Sequence, residues 1–338
     1  MKILILRFSS IGDIILTTPV IRTLKTKIED AKVHFATKKK YSNLLHENPY
    51  LDQIHLLKSK ESDLIKELKS EKFDLIIDLH CNLRTWIIQK KLGVKAYKFN
   101  KLNIKKWLYT NFKIDLLPNI HVVDRYLATL KPLQIKPDTL GLDFFIPEKD
   151  EVQINWLPLT HQNRYIAVVI GATYHTKRLP TNRLIELCDR INQPIILLGD
   201  EHDKPIGDKI YNFFKNNSSH SHNEEEEIKL KLGKKAVIFN ACGKFNLNQS
   251  ASLIKNADFV FTHDTGLMHI AAAFKKHIFT IWGSTTPKFG MYPYRTTFVV
   301  FENTHLKCRP CSKIGFEKCP KNHFKCMKDL TFDFYLSN

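Results

Sequence analysis

Residues 2–25 read KILILRFSSIGDIILTTPVIRTLK, and this stretch decides the fold class. Its first seven residues form an apolar, β-prone run of the kind buried on both faces of a parallel sheet. The run passes into a small-residue loop with Ser9, Ser10 and Gly12, then into a segment of helical period whose first turn holds Asp13. Strand, tight loop and helix in that order make half of a βαβ unit, and ligands of open α/β sheets bind outside the carboxyl ends of the strands. The loop 9–13 therefore faces a cleft. It is not Gly-x-Gly-x-x-Gly, which argues against a dinucleotide-binding dehydrogenase. Asp13 reads either as a first-turn acid stabilised by the helix dipole or as a carboxylate that takes a proton from a substrate hydroxyl.

Outward from this start, the same alternation runs through all 338 residues. Further strands are expected at 32–37, 53–57, 73–79 and 95–99. A Pro-punctuated passage from Pro132 to Pro158 then resembles a connection between domains. The pattern restarts with strands at 164–170, 194–198, 236–240, 259–262 and 278–282. The expectation is an α/β chain of two Rossmann-like domains with parallel sheets, residues 1–150 and 151–338, a length that suits two cores. The polar run from Asn216 to Gly233 reads as an exposed insertion without chemistry.

A second corner lies at residues 259–274, FVFTHDTGLMHIAAAF. A strand ends at Asp264, Thr265 and Gly266, and the small residues after it allow a helix to lie close to the sheet. The N–H groups of Gly266 and Leu267 with the Thr265 hydroxyl would meet a phosphate on the helix axis; the bland alternative is a capped helix with a buried His269. In IGATYHTKRLPTNRL, Lys177 and Arg178 sit just before a helix, where a flexible cation can neutralise a departing diphosphate. In LLGDEHD, any of Asp200, Glu201 and Asp203 could be a carboxylate for the ribose hydroxyls, and helix capping is the competing reading.

The net charge is +18, and residues 90–113 and 305–328 supply +8 and +6 of it. Such an excess predicts an anionic partner. The first of these stretches interleaves its lysines with Trp107, Tyr109 and Phe112, which suits an anionic membrane face. No nucleic-acid recognition module accompanies the charge, so nucleic-acid binding is the remote alternative. No run approaches the roughly 18 apolar residues of a membrane span, and no secretory signal is read. The expected location is the cytoplasm, with peripheral contact to the cytosolic face of the inner membrane. Cys308, Cys311, Cys319 and Cys326 are spaced C-x2-C-x7-C-x6-C, which fits a structural metal, free thiols or disulfides.

Taken together, these motifs resemble the lipopolysaccharide heptosyltransferases of glycosyltransferase family nine, over residues 1 to about 330. The resemblance is carried by Gly12, Asp13, Thr17, Thr18 and Pro19, by Asp78, Leu79 and Arg84 in DLHCNLRTW, by Gly243, Lys244 and Leu247, and by the run Asp264 to Ala272. It implies a GT-B architecture with the acceptor on the first domain and ADP-heptose on the second. It implies an inverting reaction without a divalent metal or other cofactor, in agreement with the lack of any Asp-x-Asp pair. Asp13 is then the general base, Lys177 the diphosphate cation, and Asp264, Thr265, Gly266 and Leu267 the phosphate turn. Asp203, with Glu201 as fallback, holds the ribose, Lys244 and Phe245 read the adenine, and His269 buttresses the turn. Ser9, Ser10, Gly12 and Arg84 fall on the acceptor side, where an anionic glycolipid is expected. Another nucleotide sugar, used by a transferase or an epimerase, is the alternative.

Overall fold

Runs of three to seven residues, most of them apolar and buried on both faces, assemble in the computed structural model into two wholly parallel sheets. The structure describes residues 1–216 and 236–336. The expected insertion at Asn216 to Gly233 lies, apart from Asn216, outside them. The first sheet has the order β3-β2-β1-β4-β5, from β1 (Lys2–Leu6), β2 (Lys32–Lys38), β3 (Gln53–Leu57), β4 (Leu75–Asp78) and β5 (Ala96–Lys98). The second has the order β11-β10-β9-β6-β7-β8, from β6 (Ile166–Val169), β7 (Pro194–Leu198), β8 (Val237–Asn240), β9 (Phe259–His263), β10 (His277–Trp282) and β11 (Phe298–Glu302). Ten of these strands stand where the sequence pattern places them. The eleventh, β11, follows β10 after only a short 3-10 turn, Pro287–Phe289, so no helical segment announces it.

Strand order reverses beside β1 in the first sheet and between β9 and β6 in the second. Ile3, Leu4, Ile5 and Leu6 are fully buried. At about 1.5–3 kcal/mol for each such side chain, burial fixes β1 firmly and holds the loop after it. That loop enters the short helix Ile11–Ile15, and β9 enters the helix Gly266–Ala273. These two helices pack against each other across the space between the sheets. Glycine makes the approach possible: a Cβ on Gly12 would lie 2.6 Å from Cδ2 of His269, and one on Gly266 would lie 2.6 Å from Cγ2 of Ile11. One continuous apolar cluster consequently runs from Ile3 and Ile5 through Ile15 to Met268, Ile270 and Trp282. The two corners singled out in the sequence are thus locked face to face.

Candidate active site

Between the corners lies a cavity of about 1040 Å³ whose walls include Ser10, Gly12, Asp13, Lys177, Asp264, Thr265, Gly266 and His269. On the first wall, Oδ2 of Asp13 pairs with the Arg7 guanidinium at 2.7 Å and accepts from the Ser10 N–H at 3.2 Å and the Ser10 hydroxyl at 3.0 Å. Burial alone would push this carboxyl up. The Arg7 charge and the Ser10 donors outweigh it and hold Asp13 below the usual carboxylate range. Arg7 is itself fixed behind the wall, donating to the Leu79 carbonyl and to the Tyr126 hydroxyl at 3.0 Å. The result is an ionised carboxylate, 23% exposed, facing the cavity with its cation locked at its back.

On the second wall the signs are exchanged. Lys177 Nζ lies 2.6 Å from Oδ2 of Asp264 and donates to the Asp264 carbonyl at 3.1 Å, while the Thr285 hydroxyl donates to the same carboxylate at 3.0 Å. Thr265 is the N-cap of the helix Gly266–Ala273, and its side chain makes no capping bond, so the first N–H groups of that helix lack a partner from it. His269 is 2% exposed, and burial brings its pKa down to about 4, so it is neutral. Its ring fills the space beside Gly12 and supports the turn.

A smaller hollow of about 560 Å³ shares Thr173, Thr265 and Gly266 with the large cavity, and Phe245, Leu247, Asp200, His202, Arg178 and Leu267 also line it. Phe245 is at this wall as expected. Lys244 is not; its ammonium lies 4.6 Å from the Phe239 ring centroid. Asp203 also lines this hollow. It is only 2% exposed, with Oδ1 on Arg178 at 3.1 Å and Oδ2 accepting the Asp200 N–H at 3.1 Å. These bonds close the turn 200–203, so its oxygens are already engaged. Glu201 is exposed and outside the lining, and Asp200 is the acid left on the rim.

Two acceptor-side residues also lie elsewhere. The Ser9 carbonyl accepts from Arg7 Nε at 2.7 Å, and Ser9 does not line the cavity. Arg84 pairs with Glu61 at 2.9 Å, and together with Lys38, Lys39, Lys40 and Lys58 it lines a separate basic hollow of about 790 Å³. The cysteine quartet does not gather as a coordination shell: among the described residues, no three of its sulfurs come within 4.8 Å of one another. Its loop instead lines the cavity with Cys311, Ser312, Lys313 and Phe316. Lys113 holds that loop through the carbonyls of Cys308 at 3.2 Å and Pro310 at 2.6 Å.

Several residues of the site escape the sequence reading. Arg7 sits inside a strand pattern, and nothing local says that it turns back to Asp13. Lys101, Lys106, Thr110 and Asn111 come from the helix Asn103–Phe112 and the residues before it, where only the charge run gave a signal. Burial, then Arg125, lowers the pKa of Lys106 to about 8.

Two parallel sheets facing one cleft, with the start of the helix Gly266–Ala273 on one side and a carboxylate on the other, place the chain in the class of GT-B glycosyltransferases. The model of glycosyltransferase family 9 (heptosyltransferase) matches residues 62–319, and the chain belongs to that family. A lipopolysaccharide heptosyltransferase 1 of Campylobacter coli is 24% identical over 84% of this chain and 84% of its own length. A lipooligosaccharide heptosyltransferase 2 of Campylobacter jejuni is 27% identical over 98% of this chain and 94% of its own. Among solved structures, E. coli ADP-heptose lps heptosyltransferase II superposes with a TM-score of 0.66 at 19% identity, covering 97% of this chain and 98% of that one. An E. coli heptosyltransferase solved with ADP gives 0.62 at 17% identity, over 93% and 96%. Among the described residues no helix is long and apolar enough to cross a membrane.

Proposed function

We propose that this glycosyltransferase moves a heptose from ADP-heptose to a hydroxyl of a lipopolysaccharide core acceptor, inverting the anomeric centre without a divalent metal. The observation that carries the reading is the joining of two hollows at Thr265 and Gly266, with Asp13 on the opposite wall. The smaller hollow suits a nucleoside, with Phe245 and Leu247 against the base and Asp200 on the ribose side. The diphosphate then rests on the free N–H groups of the helix Gly266–Ala273 and on Lys177, and the sugar projects into the large cavity.

In the reaction, the acceptor oxygen forms its bond to the anomeric carbon while the bond from that carbon to the diphosphate breaks. Asp13 takes the hydroxyl proton. The negative charge that develops on ADP is met by Lys177 and the helix terminus, in the place a metal would otherwise fill. Lys38, Lys39, Lys40, Lys58 and Arg84 offer anionic groups of the acceptor a second point of attachment. The names of the relatives support heptose as the sugar and lipopolysaccharide as the acceptor.

A peripheral place at an anionic membrane surface is supported by Ile104, Trp107, Phe112, Ile114 and Leu116, which are exposed beside Lys105 and Lys113. Product formation from ADP-heptose, UDP-glucose and GDP-mannose with a core lipid acceptor tests the assignment. Transfer from ADP-heptose alone, unaffected by a chelator, is the expected result. Transfer from another donor in preference, or loss of transfer with the chelator, would overturn it.

A further inference from the structure

On the face of the first sheet covered by the helix Glu61–Ser70, away from the cleft, three metal-ligating side chains converge. His34 of β2, His55 of β3 and Glu71 just after that helix place one ligand atom each within 4.8 Å of one another. His34 and His55 are 4% and 0% exposed, and the edge of the Phe73 ring packs on both. The layer around them is Leu4, Leu6, Leu64, Leu68 and Phe73. Two imidazoles inside such a layer are costly unless every ring nitrogen facing inward has a partner.

The hydrogen bonds fix which nitrogen carries a proton. Glu67 Oε1 lies 2.5 Å from Nδ1 of His55 and, as a carboxylate, can only accept, so His55 is protonated there. The lone pair on Nε2 of His55 then points at Nδ1 of His34, 2.9 Å away. A carboxylate holding the outer nitrogen of a histidine whose inner nitrogen faces a second donor is the arrangement that orients zinc-binding histidines. Metal–nitrogen bonds of about 2.0–2.1 Å in a tetrahedral shell set two nitrogens about 3.3 Å apart. An ion would thus replace the shared proton with a few tenths of an ångström of opening and a tilt of both rings that turns their lone pairs from each other onto the ion, the His34 proton moving to its other nitrogen. Glu71 is held by Lys2, whose ammonium lies 2.9 Å from Oε2. Lys2 is 33% exposed and free to swing into solvent when a doubly charged ion takes its place.

We infer that His34, His55 and Glu71 form a binding site for a divalent zinc-class ion, with Glu67 orienting His55 and Lys2 occupying the cation position in the metal-free chain. The ligands come from β2, β3 and the end of the helix Glu61–Ser70, so the ion ties the outer half of the first sheet to its covering helix. It takes no part in sugar transfer.

The test is titration of the full chain with zinc chloride and, separately, cobalt chloride, read by calorimetry, thermal unfolding and the cobalt absorption spectrum. Expected are one zinc ion per chain with a rise in Tm, a tetrahedral cobalt spectrum without thiolate-to-cobalt charge transfer, and unchanged turnover. Glu67→Gln should weaken zinc binding about 10- to 100-fold. Lys2→Met should tighten it, an outcome that loss of structure cannot mimic. His55→Asn should abolish the site, with retained circular dichroism and ADP binding showing that the chain still folds. Zinc binding unchanged in His55→Asn, a spectrum of thiolate ligands only, no binding at micromolar zinc, or weaker binding in Lys2→Met would each overturn the proposal.

Discussion

The two walls of the cleft are built on the same plan with opposite polarity. Each is a strand beside the reversal of its sheet, a turn of small residues and a short helix, and each carries one carboxylate paired to one cation. At β1 the cation is the buried member: Arg7 is 9% exposed and braced from behind, and Asp13 faces the cavity. At β9 both members are mostly covered, 14% and 13% exposed, and Lys177 and Thr285 both hold the Asp264 carboxylate while the ammonium still lines the cavity. One wall therefore presents a fixed base and the other an available positive charge. A reaction that releases a proton on one side and an anion on the other needs this asymmetry.

The comparison breaks most severely if the polarity of the first wall is removed. Asp13→Asn keeps the shape and the donor from Ser10 but cannot take a proton, so turnover should fall about 10²–10⁴-fold with ADP affinity unchanged. Lys177→Ala removes charge stabilisation on the other wall and should reduce turnover about 10²–10³-fold while also weakening ADP. Calorimetry with ADP beside steady-state kinetics separates the two. Should Asp13→Asn lose ADP affinity as well, or Lys177→Ala keep it, the division of labour between the walls is wrong.

Next in size is the contact that locks the walls together. In Gly12→Ala the new methyl would sit 2.6 Å from Cδ2 and 3.3 Å from Nε2 of His269, a residue only 2% exposed. Overpacking of this kind costs about 1–3 kcal/mol. Gly266→Ala meets the Ile11 side chain instead, 2.6 Å from its Cγ2, which a rotation can partly relieve. Urea unfolding should therefore rank Gly12→Ala as the less stable variant. Equal midpoints would show that His269 is not the rigid buttress that its burial indicates.

How much of this was legible beforehand follows from whether a signal is local. Ten strands, the two corners and the cleft they share could be read because burial on both faces writes an apolar run into contiguous residues. The partner of Asp13 could not, although Arg7 is only six positions away, because its direction depends on Leu79 and Tyr126. The hydrogen bonds of Asp203 are hidden from the sequence for a related reason. An acid three residues beyond a strand-end turn looks the same in sequence whether it reaches outward to a ribose or folds back on the Asp200 N–H. Arg84 carries a matching motif but turns toward Glu61 and a basic hollow beside β2 and β3. The lysines of residues 90–113 were read as one surface, yet their helix has two faces: Trp107 is exposed, and Lys106 lines the cavity.

That division sharpens the comparison with its smallest expected effect. Burial and Arg125 bring the Lys106 pKa to about 8, against 10.5 for an ordinary lysine, so its ammonium is lost as pH rises through about 8. A lowered lysine pKa means that the folded chain binds fewer protons than the unfolded chain between those values, so stability in this window rises with pH. Binding of an anionic acceptor works in the opposite sense, because it favours the charged form and weakens as that form is lost. KM for the acceptor should therefore rise between pH 7 and pH 9, about one unit on either side of that pKa. An exposed ion pair is worth about 0.2–1 kcal/mol, or about 1.5- to fivefold in KM. Lys106→Met should start from the higher KM and show a flat profile, whereas Lys105→Met, which removes the same charge from the outer face of the helix, should keep the slope. The acid limb belongs to Asp13, which stays ionised to below the usual carboxylate range, so turnover should hold until pH falls past it. An alkaline slope that survives in Lys106→Met would move that titration to another group and leave the cavity's positive charge to Lys101 and Lys177.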